Sequence, residues 1–174
     1  MLLETPELRL RKTTTEDLAF VLKLEAIEEN KRYIIPWDER KHQQTLEDRD
    51  CLHLMIESKK AGKTVGYVIL HGVHNENDSI ELVRLTIHDK EKGFGQQVLS
   101  LMKQWVFTEA KANRLWLDVK TNNARAMHVY EKQGFVLEGT LRECLKSKYG
   151  FESLNVMSVL KSEYEEEQKK KELL

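Results

Sequence analysis

No run of apolar residues in this chain is long enough to cross a membrane as a helix. The opening residues, Met1-Leu2-Leu3-Glu4-Thr5-Pro6, turn acidic at once, so a secretory signal is not expected. Charge of one sign is missing as well. Lys and Arg number 28 against 29 Asp and Glu, which leaves a net charge of -1. That balance offers no electrostatic footprint for nucleic acid or another polyanion. Cysteine is scarce: Cys51 and Cys144 stand far apart and make no Cys-x-x-Cys site. A reduced, cytoplasmic protein is the expectation. The six histidines keep no metal-ligand spacing with those cysteines. His71 and His74 form a pair, but in a polar loop with no third ligand beside them, so no metal is expected. Internal repeats and interdomain linkers are absent too.

What is present fits one domain with a full core: 174 residues, 40% hydrophobic and 33% charged. Leu8-Arg9-Leu10-Arg11 alternates as a half-exposed strand does. Thr15-Glu16-Asp17 opens a helix that continues at helical spacing through Leu18, Val21, Leu22 and Glu25. After Pro36-Trp37, Thr45 and Asp48 have the spacing of a capping box, which predicts a short helix starting there. Leu52 to Ile56 and Thr64 to Leu70 read as a strand hairpin around Lys59 to Lys63, with Gly66 a bulge candidate. Ser79 to Ile87 is a further strand. Val98, Met102, Trp105 and Val106 give the next helix an apolar face. Arg114 to Val119 is a strand, Asn123 to Gln133 a helix stopped by Gly134, and Phe135 to Leu137 and Ser153 to Leu160 are strands again. From Ser162 onward nearly every residue is charged, with Glu165/Lys169, Glu166/Lys170 and Glu167/Lys171 at i,i+4. A solvated helix and a frayed end both remain open there. The domain is placed at residues 1–161 and the charged tail at 162–174.

The most telling stretch runs from Leu85 to Val98. An apolar strand end meets a charged turn, two glycines follow in Lys90-Glu91-Lys92-Gly93-Phe94-Gly95, and a helical pattern begins near Gln96. Glycines let a ligand come close to the backbone, and the first amides of a helix point outward unpaired. The helix dipole adds about half a positive charge, and lysines stand beside it. A pyrophosphate suits such a place, although a plain strand-to-helix turn looks the same. The Gly-Lys-Ser/Thr of a P-loop is missing, as are the third glycine and early position of a dinucleotide site.

A second stretch, Asn122-Asn123-Ala124-Arg125-Ala126-Met127-His128-Val129-Tyr130-Glu131-Lys132-Gln133-Gly134-Phe135, gives the first its context. Together they resemble the GCN5-related N-acetyltransferase (GNAT) superfamily. The glycine turn is similar to that family's [Gln/Arg]-x-x-Gly-x-[Gly/Ala] signature, with Lys90 in the first position. The later stretch is similar to its Asn-x-x-Ala-x-x-x-Tyr-x-x-x-Gly-Phe block. The run Glu138-Gly139-Thr140-Leu141-Arg142 resembles the branch that acetylates ribosomal-protein N-termini. The resemblance implies a single-domain α/β (α+β) acyl-CoA N-acyltransferase fold. Its mixed, mostly antiparallel central sheet would have a splayed parallel strand pair and about four flanking helices. It implies acetyl-coenzyme A as cosubstrate, held by Lys90, Lys92, Gly93, Phe94, Gly95 and Gln96 at the pyrophosphate. Leu85, Thr86 and Ile87 would lie along the pantetheine arm, with Asn122 and Arg125 beside it.

Acetyl transfer to an amine requires a neutral amine, donors for the developing oxyanion and a proton for the leaving thiolate. An alkyl amine has a pKa of roughly 10, so a base must take its proton. Glu81 is the candidate base, with Val83 and Leu85 expected on the same strand face, and a backbone amide near Leu85 or Thr86 would meet the oxyanion. Tyr130 is the candidate acid. Each has a plainer reading: Tyr130 as a core aromatic, Glu81 as an exposed strand residue, Asn122 as a helix cap. Tyr33 and Trp37 are placed at the acceptor, a small-molecule amine or a peptide N-terminus; Trp37 packing over the sheet edge is the alternative. A non-catalytic coenzyme-A-binding module is the rival function, and a homodimer is a further expectation.

Overall fold

The computed structural model describes residues 2–88, 90 and 93–174. Lys92, expected beside the pyrophosphate, lies outside the described residues. Eight strands form one sheet: β1 (Leu2–Glu4), β2 (Leu8–Lys12), β3 (Cys51–Ser58), β4 (Lys63–His71), β5 (Ser79–Ile87), β6 (Arg114–Lys120), β7 (Val136–Ser147) and β8 (Gly150–Leu160). Their spatial order is β1-β2-β3-β4-β5-β6-β8-β7. Neighbours run antiparallel except β5 and β6. A parallel pair needs a long crossover, which α4 (Phe94–Thr108) supplies. The remaining helices are α1 (Leu18–Glu25), α2 (Glu28–Lys31), α3 (Glu39–Glu47), α5 (Ala124–Lys132) and α6 (Lys161–Glu172). Six described helices thus flank the sheet where about four were expected; the additional ones are the short α2 and the tail helix α6.

Strand alternation sorts the core into two layers. Leu54 and Ile56 of β3 and Val68 and Leu70 of β4 meet Val98, Leu99 and Met102 of α4. The alternate residues Met55, Tyr67 and Ile69 meet Val21 and Leu24 of α1 on the other face. Each fully buried aliphatic side chain contributes about 1.5–3 kcal/mol relative to exposure.

Several local expectations need correction. The capping-box spacing at Thr45 marks the end of α3. The helix starts at Asp38, whose carboxylate accepts from Lys41 N at 2.8 Å. The strand begun at Phe135–Leu137 extends to Ser147, because pairing with β8 carries it past its sequence signals. Of the two alternatives left open for the charged tail, the helical one holds, as α6: Tyr164 stacks on Phe107 with centroids 5.1 Å apart, and the buried Lys103 Nζ reaches Glu167 at 2.8 Å.

Two bulges shape the centre of the sheet. Ile56 pairs with Gly66 but Glu57 with Thr64, leaving Val65 as the extra residue beside the expected glycine. Gly66 is required there: a Cβ would lie 2.2 Å from Thr86 O on β5. In β5, Arg84 pairs with Ile69 but Leu82 with Leu70, so Val83 is extra. The two parallel strands stay paired only from Ser79–Glu81 to Arg114–Trp116. Beyond that, β6 continues against β8 from Leu117 to Lys120, while β5 keeps to β4. The strands diverge and leave a wedge.

Candidate functional site

The wedge is the floor of a cleft of about 1350 Å³ that reaches from the start of α4 to the α2–α3 connection. At one end stands the glycine turn. Gly93 has φ 70° and ψ 11°, the left-handed region that favours glycine, and serves as the N-cap of α4 with no side chain bonded to the cap. The first turn of α4 carries no acid. A Cβ on Gly93 or Gly95 would meet nothing within 4 Å. No side chain therefore crowds the main chain there, and the first amides of an α-helix have no intrahelical partner. Lys90 and Arg125 line the same end, and Arg125 Nη2 donates to Lys90 O at 2.9 Å, tying α5 to the turn. Phe94 buries its ring in the core, and Gln96 is exposed off the cleft wall, so each offers the site main chain only.

Along β5, Leu85, Thr86 and Ile87 line the cleft. The bulge overturns the expected facing of this strand. Val83 packs toward α1 with Met55 and Tyr67, whereas Leu85 joins the core layer under α4. Alternation alone had put Glu81, Val83 and Leu85 together, and one extra residue moves Leu85 to the opposite face. The main chain of Val83 falls outside the β4 register, beside the wedge where β6 has already departed.

Glu81 of β5, Asp118 of β6 and Tyr130 of α5 converge on the middle of the cleft. Burial, reinforced by Asp118, raises the Glu81 pKa, and His71 opposes this. Burial also raises that of Asp118. The Tyr130 phenol is pushed up to about 12 by burial and then by Asp118. Its ring leans on Phe135, centroids 5.7 Å apart. Asp118 escaped the sequence reading. Its signal was an acid inside the otherwise apolar run Leu115-Trp116-Leu117-Asp118-Val119.

Asn122 is exposed and off the cleft wall, while Asn123 lines it and caps α5 by accepting from Ala126 N at 3.2 Å. Counting from Asn123 also gives the block's spacing to Ala126, Tyr130 and Gly134. Tyr33 and Trp37 line the far end with Glu28, Arg32 and Lys41, while Glu29 pairs with Lys90 Nζ at 3.4 Å. The Trp37 ring already carries two cations, Lys41 Nζ at 4.2 Å and Arg84 Cζ at 4.7 Å from its centroid. Its main-chain N–H donates to Glu25, a buried carboxylate with no local sequence signal. Burial works against the charge of Glu25. Hydrogen bonds from His42 and Tyr67, the Arg84 charge and the Trp37 N–H overrule it and hold the pKa at about 2.

Asp48, Cys51 and His71 offer ligand atoms within 4.8 Å of one another, His71 being brought in by its pairing with Cys51 across β3 and β4. Burial and a hydrogen bond to Asp48 push the Cys51 thiol up to about 12, so it offers no thiolate.

A family model described as an acetyltransferase (GNAT) domain matches residues 7–136. A spermidine N(1)-acetyltransferase from Vibrio cholerae is 32% identical over 73 residues, 42% of this chain and 42% of that relative. The match thus spans less than half of the relative's length. A spermidine N(1)-acetyltransferase from Escherichia coli K12 is 27% identical over 142 residues, 76% of this chain and 75% of the relative. The crystal structure of spermidine N-acetyltransferase from Vibrio cholerae with CoA and spermine superposes with a TM-score of 0.82 at 25% identity, covering 92% of this chain and 99% of that one. These relatives support the superfamily and not the ribosomal-protein N-terminal branch in particular.

Proposed function

The chain belongs to the acetyltransferase (GNAT) domain family, matched over residues 7–136, and on that premise we propose that it is an acetyl-coenzyme A-dependent N-acetyltransferase acting on a primary amine. The observation that carries this reading is the wedge between β5 and β6 with unlike ends. Unpaired α4 amides with Arg125 and Lys90 suit a pyrophosphate at one end. A free strand edge from Leu85 to Ile87 suits a peptide-like arm in the middle. Acid and base groups stand where that arm would deliver its thioester.

Acetyl-coenzyme A supplies an activated acetyl group. This chain's residues do the rest. Glu81 takes the proton from the incoming ammonium, and its raised pKa brings it closer to the working pH, where a base is most effective. Asp118 beside it favours a cationic acceptor over a neutral one. The main chain of Val83 at the bulge faces the negative charge that develops as the amine attacks. Tyr130, kept protonated at neutral pH by its raised pKa, delivers a proton to the departing sulfur.

The named relatives act on spermidine. Glu28 and Glu29 already pair with Lys31 and Lys90, so it is Glu81 and Asp118 in this cleft that suit a cationic amine; a polyamine is the first acceptor to try, and a peptide with a free N-terminus the second. Thermal unfolding with acetyl-coenzyme A, ATP and NAD tests the premise. Ligand at about a hundred times its dissociation constant stabilises by roughly 2.7 kcal/mol. A shift with acetyl-coenzyme A alone, followed by thiol release with one of these amines, is the expected result. No shift with it sinks the reading.

A further inference from the structure

On the α1 side of the cleft, one carboxylate organises the wall. Glu25 ends α1 and is 1% exposed. Its Oε1 accepts from Tyr67 Oη at 2.5 Å, from Arg84 Nη1 at 2.5 Å and from His42 Nε2 at 3.1 Å. Its Oε2 accepts from Trp37 N at 2.8 Å. Because the ionised carboxylate only accepts, His42 presents an Nε2–H to it. The His42 Nδ1 lies 3.3 Å from His53 Nε2, and the His53 Nδ1 lies 2.8 Å from Thr13 Oγ1, which extends the chain of contacts to β3. Burial, with His42 next, pushes the His53 pKa down to about 3, so that imidazole stays neutral.

Both partners of the ion pair also grip the α2–α3 connection. Arg84 Nη2 donates to Ile35 O at 2.7 Å, and its guanidinium lies against the Trp37 ring. The loop is thus held at the carbonyl of Ile35 by Arg84 and at the amide of Trp37 by Glu25. Tyr33, Ile34, Ile35, Pro36, Trp37 and Asp38 all line the cleft. Arg84 itself follows the bulge at Val83, which throws its side chain to the α1 face. One buried pair therefore joins the acceptor wall to the strand edge that meets the thioester. A pair serving only the core would not need an arm from each partner on the loop's main chain.

We propose that Glu25 and Arg84 are positioning residues that hold residues 33–38 in register with the β5 bulge and so set acceptor affinity without touching the coenzyme end; this rests on the acetyltransferase reading above. Removing one partner alone leaves a buried unpaired charge, so the decisive variant is Glu25→Gln with Arg84→Met, which removes both. Three quantities are read: hydrogen exchange of a peptide containing Trp37, the acetyl-coenzyme A dissociation constant by calorimetry, and KM and kcat for the amine that wild type acetylates. The expected result is fast exchange at Trp37, coenzyme affinity within about twofold, and an acceptor KM raised about tenfold or more, since misplacement by an ångström costs up to about a hundredfold. Arg84→Lys keeps the charge but loses the fork, and it should not restore protection of the loop. Unchanged exchange and KM in the folded double variant would overturn the proposal. So would a double variant that cannot fold, which would make the pair a stability element. Should wild type acetylate no amine, the acetyltransferase reading falls, while the exchange measurement still decides whether the pair holds the loop.

Discussion

The two walls of the cleft are made of different material. On the α4 side the wall is main chain: helix amides behind Gly93 and a strand edge from Leu85 to Ile87, with Arg125 bonded to the Lys90 carbonyl and Lys90 Nζ 3.4 Å from Glu29 at the rim. On the α1 side it is a loop fastened by buried side chains, with Glu25 at the hub. A main-chain wall recognises what every ligand of one class shares, in the function proposed above a phosphate and a peptide-like arm. A side-chain wall can be changed residue by residue. On that proposal the difference teaches where generality and specificity sit: the coenzyme end would depend on backbone conformation, the acceptor end on a private hydrogen-bond network.

The sharpest test of that division lies between the walls. Tyr130→Phe removes one hydroxyl and leaves both walls standing. Turnover should fall by about 10²–10⁴-fold, the usual worth of a positioned acid, while calorimetry finds acetyl-coenzyme A binding unchanged. If binding falls with turnover, Tyr130 belongs to the coenzyme wall. If neither moves, it is only a core aromatic leaning on Phe135.

Next in size is the acid response of the α1 wall. The Glu25 pKa is held at about 2 in the folded protein, against roughly 4.3 for a free glutamate. A depressed folded value gives stability that is fully present above the unfolded pKa and lost as pH falls through the folded one. The window is therefore about pH 4.5 down to 2, and the loss is on the order of 3 kcal/mol. Denaturant unfolding of wild type and of Glu25→Gln across that window should show the gap between them closing as pH falls. A constant gap would mean that Glu25 is not the group titrating.

The same contrast explains what could be read from the sequence. The coenzyme wall is local. Ser79 to Ile87, the glycine turn and the helix after it are contiguous, so their pattern survives in one dimension, and β5 has the bounds expected for it. The acceptor wall is assembled from α1, α3, β3, β4 and β5, with Glu25 and Arg84 59 residues apart. No spacing rule connects such residues. A single glutamate after Leu24 reads as an exposed helix end until packing closes over it. The bulge at Val83 left only a faint mark in the sequence. Between Ile80 and Ile87 the polar residues fall at Glu81 and then at Arg84 and Thr86, so the alternation changes parity across Val83 and Leu85 turns to the opposite face. Asn122 and Asn123 differ only in which one caps α5, and that depends on backbone geometry.

The smallest expected effect is at the rim of the coenzyme wall. Arg125 is exposed, and its recorded bond is to a carbonyl of the turn. An exposed cation near a phosphate contributes modestly and is screened within about 8–10 Å at ordinary salt. Arg125→Ala should therefore weaken acetyl-coenzyme A only about three- to tenfold at low ionic strength, with the difference shrinking as salt is added. The acceptor KM should stay put, because Arg125 reaches Lys90 and not residues 33–38. A large, salt-independent loss would show that the arginine orders the turn itself, and the coenzyme wall would then depend on a side chain as the acceptor wall does.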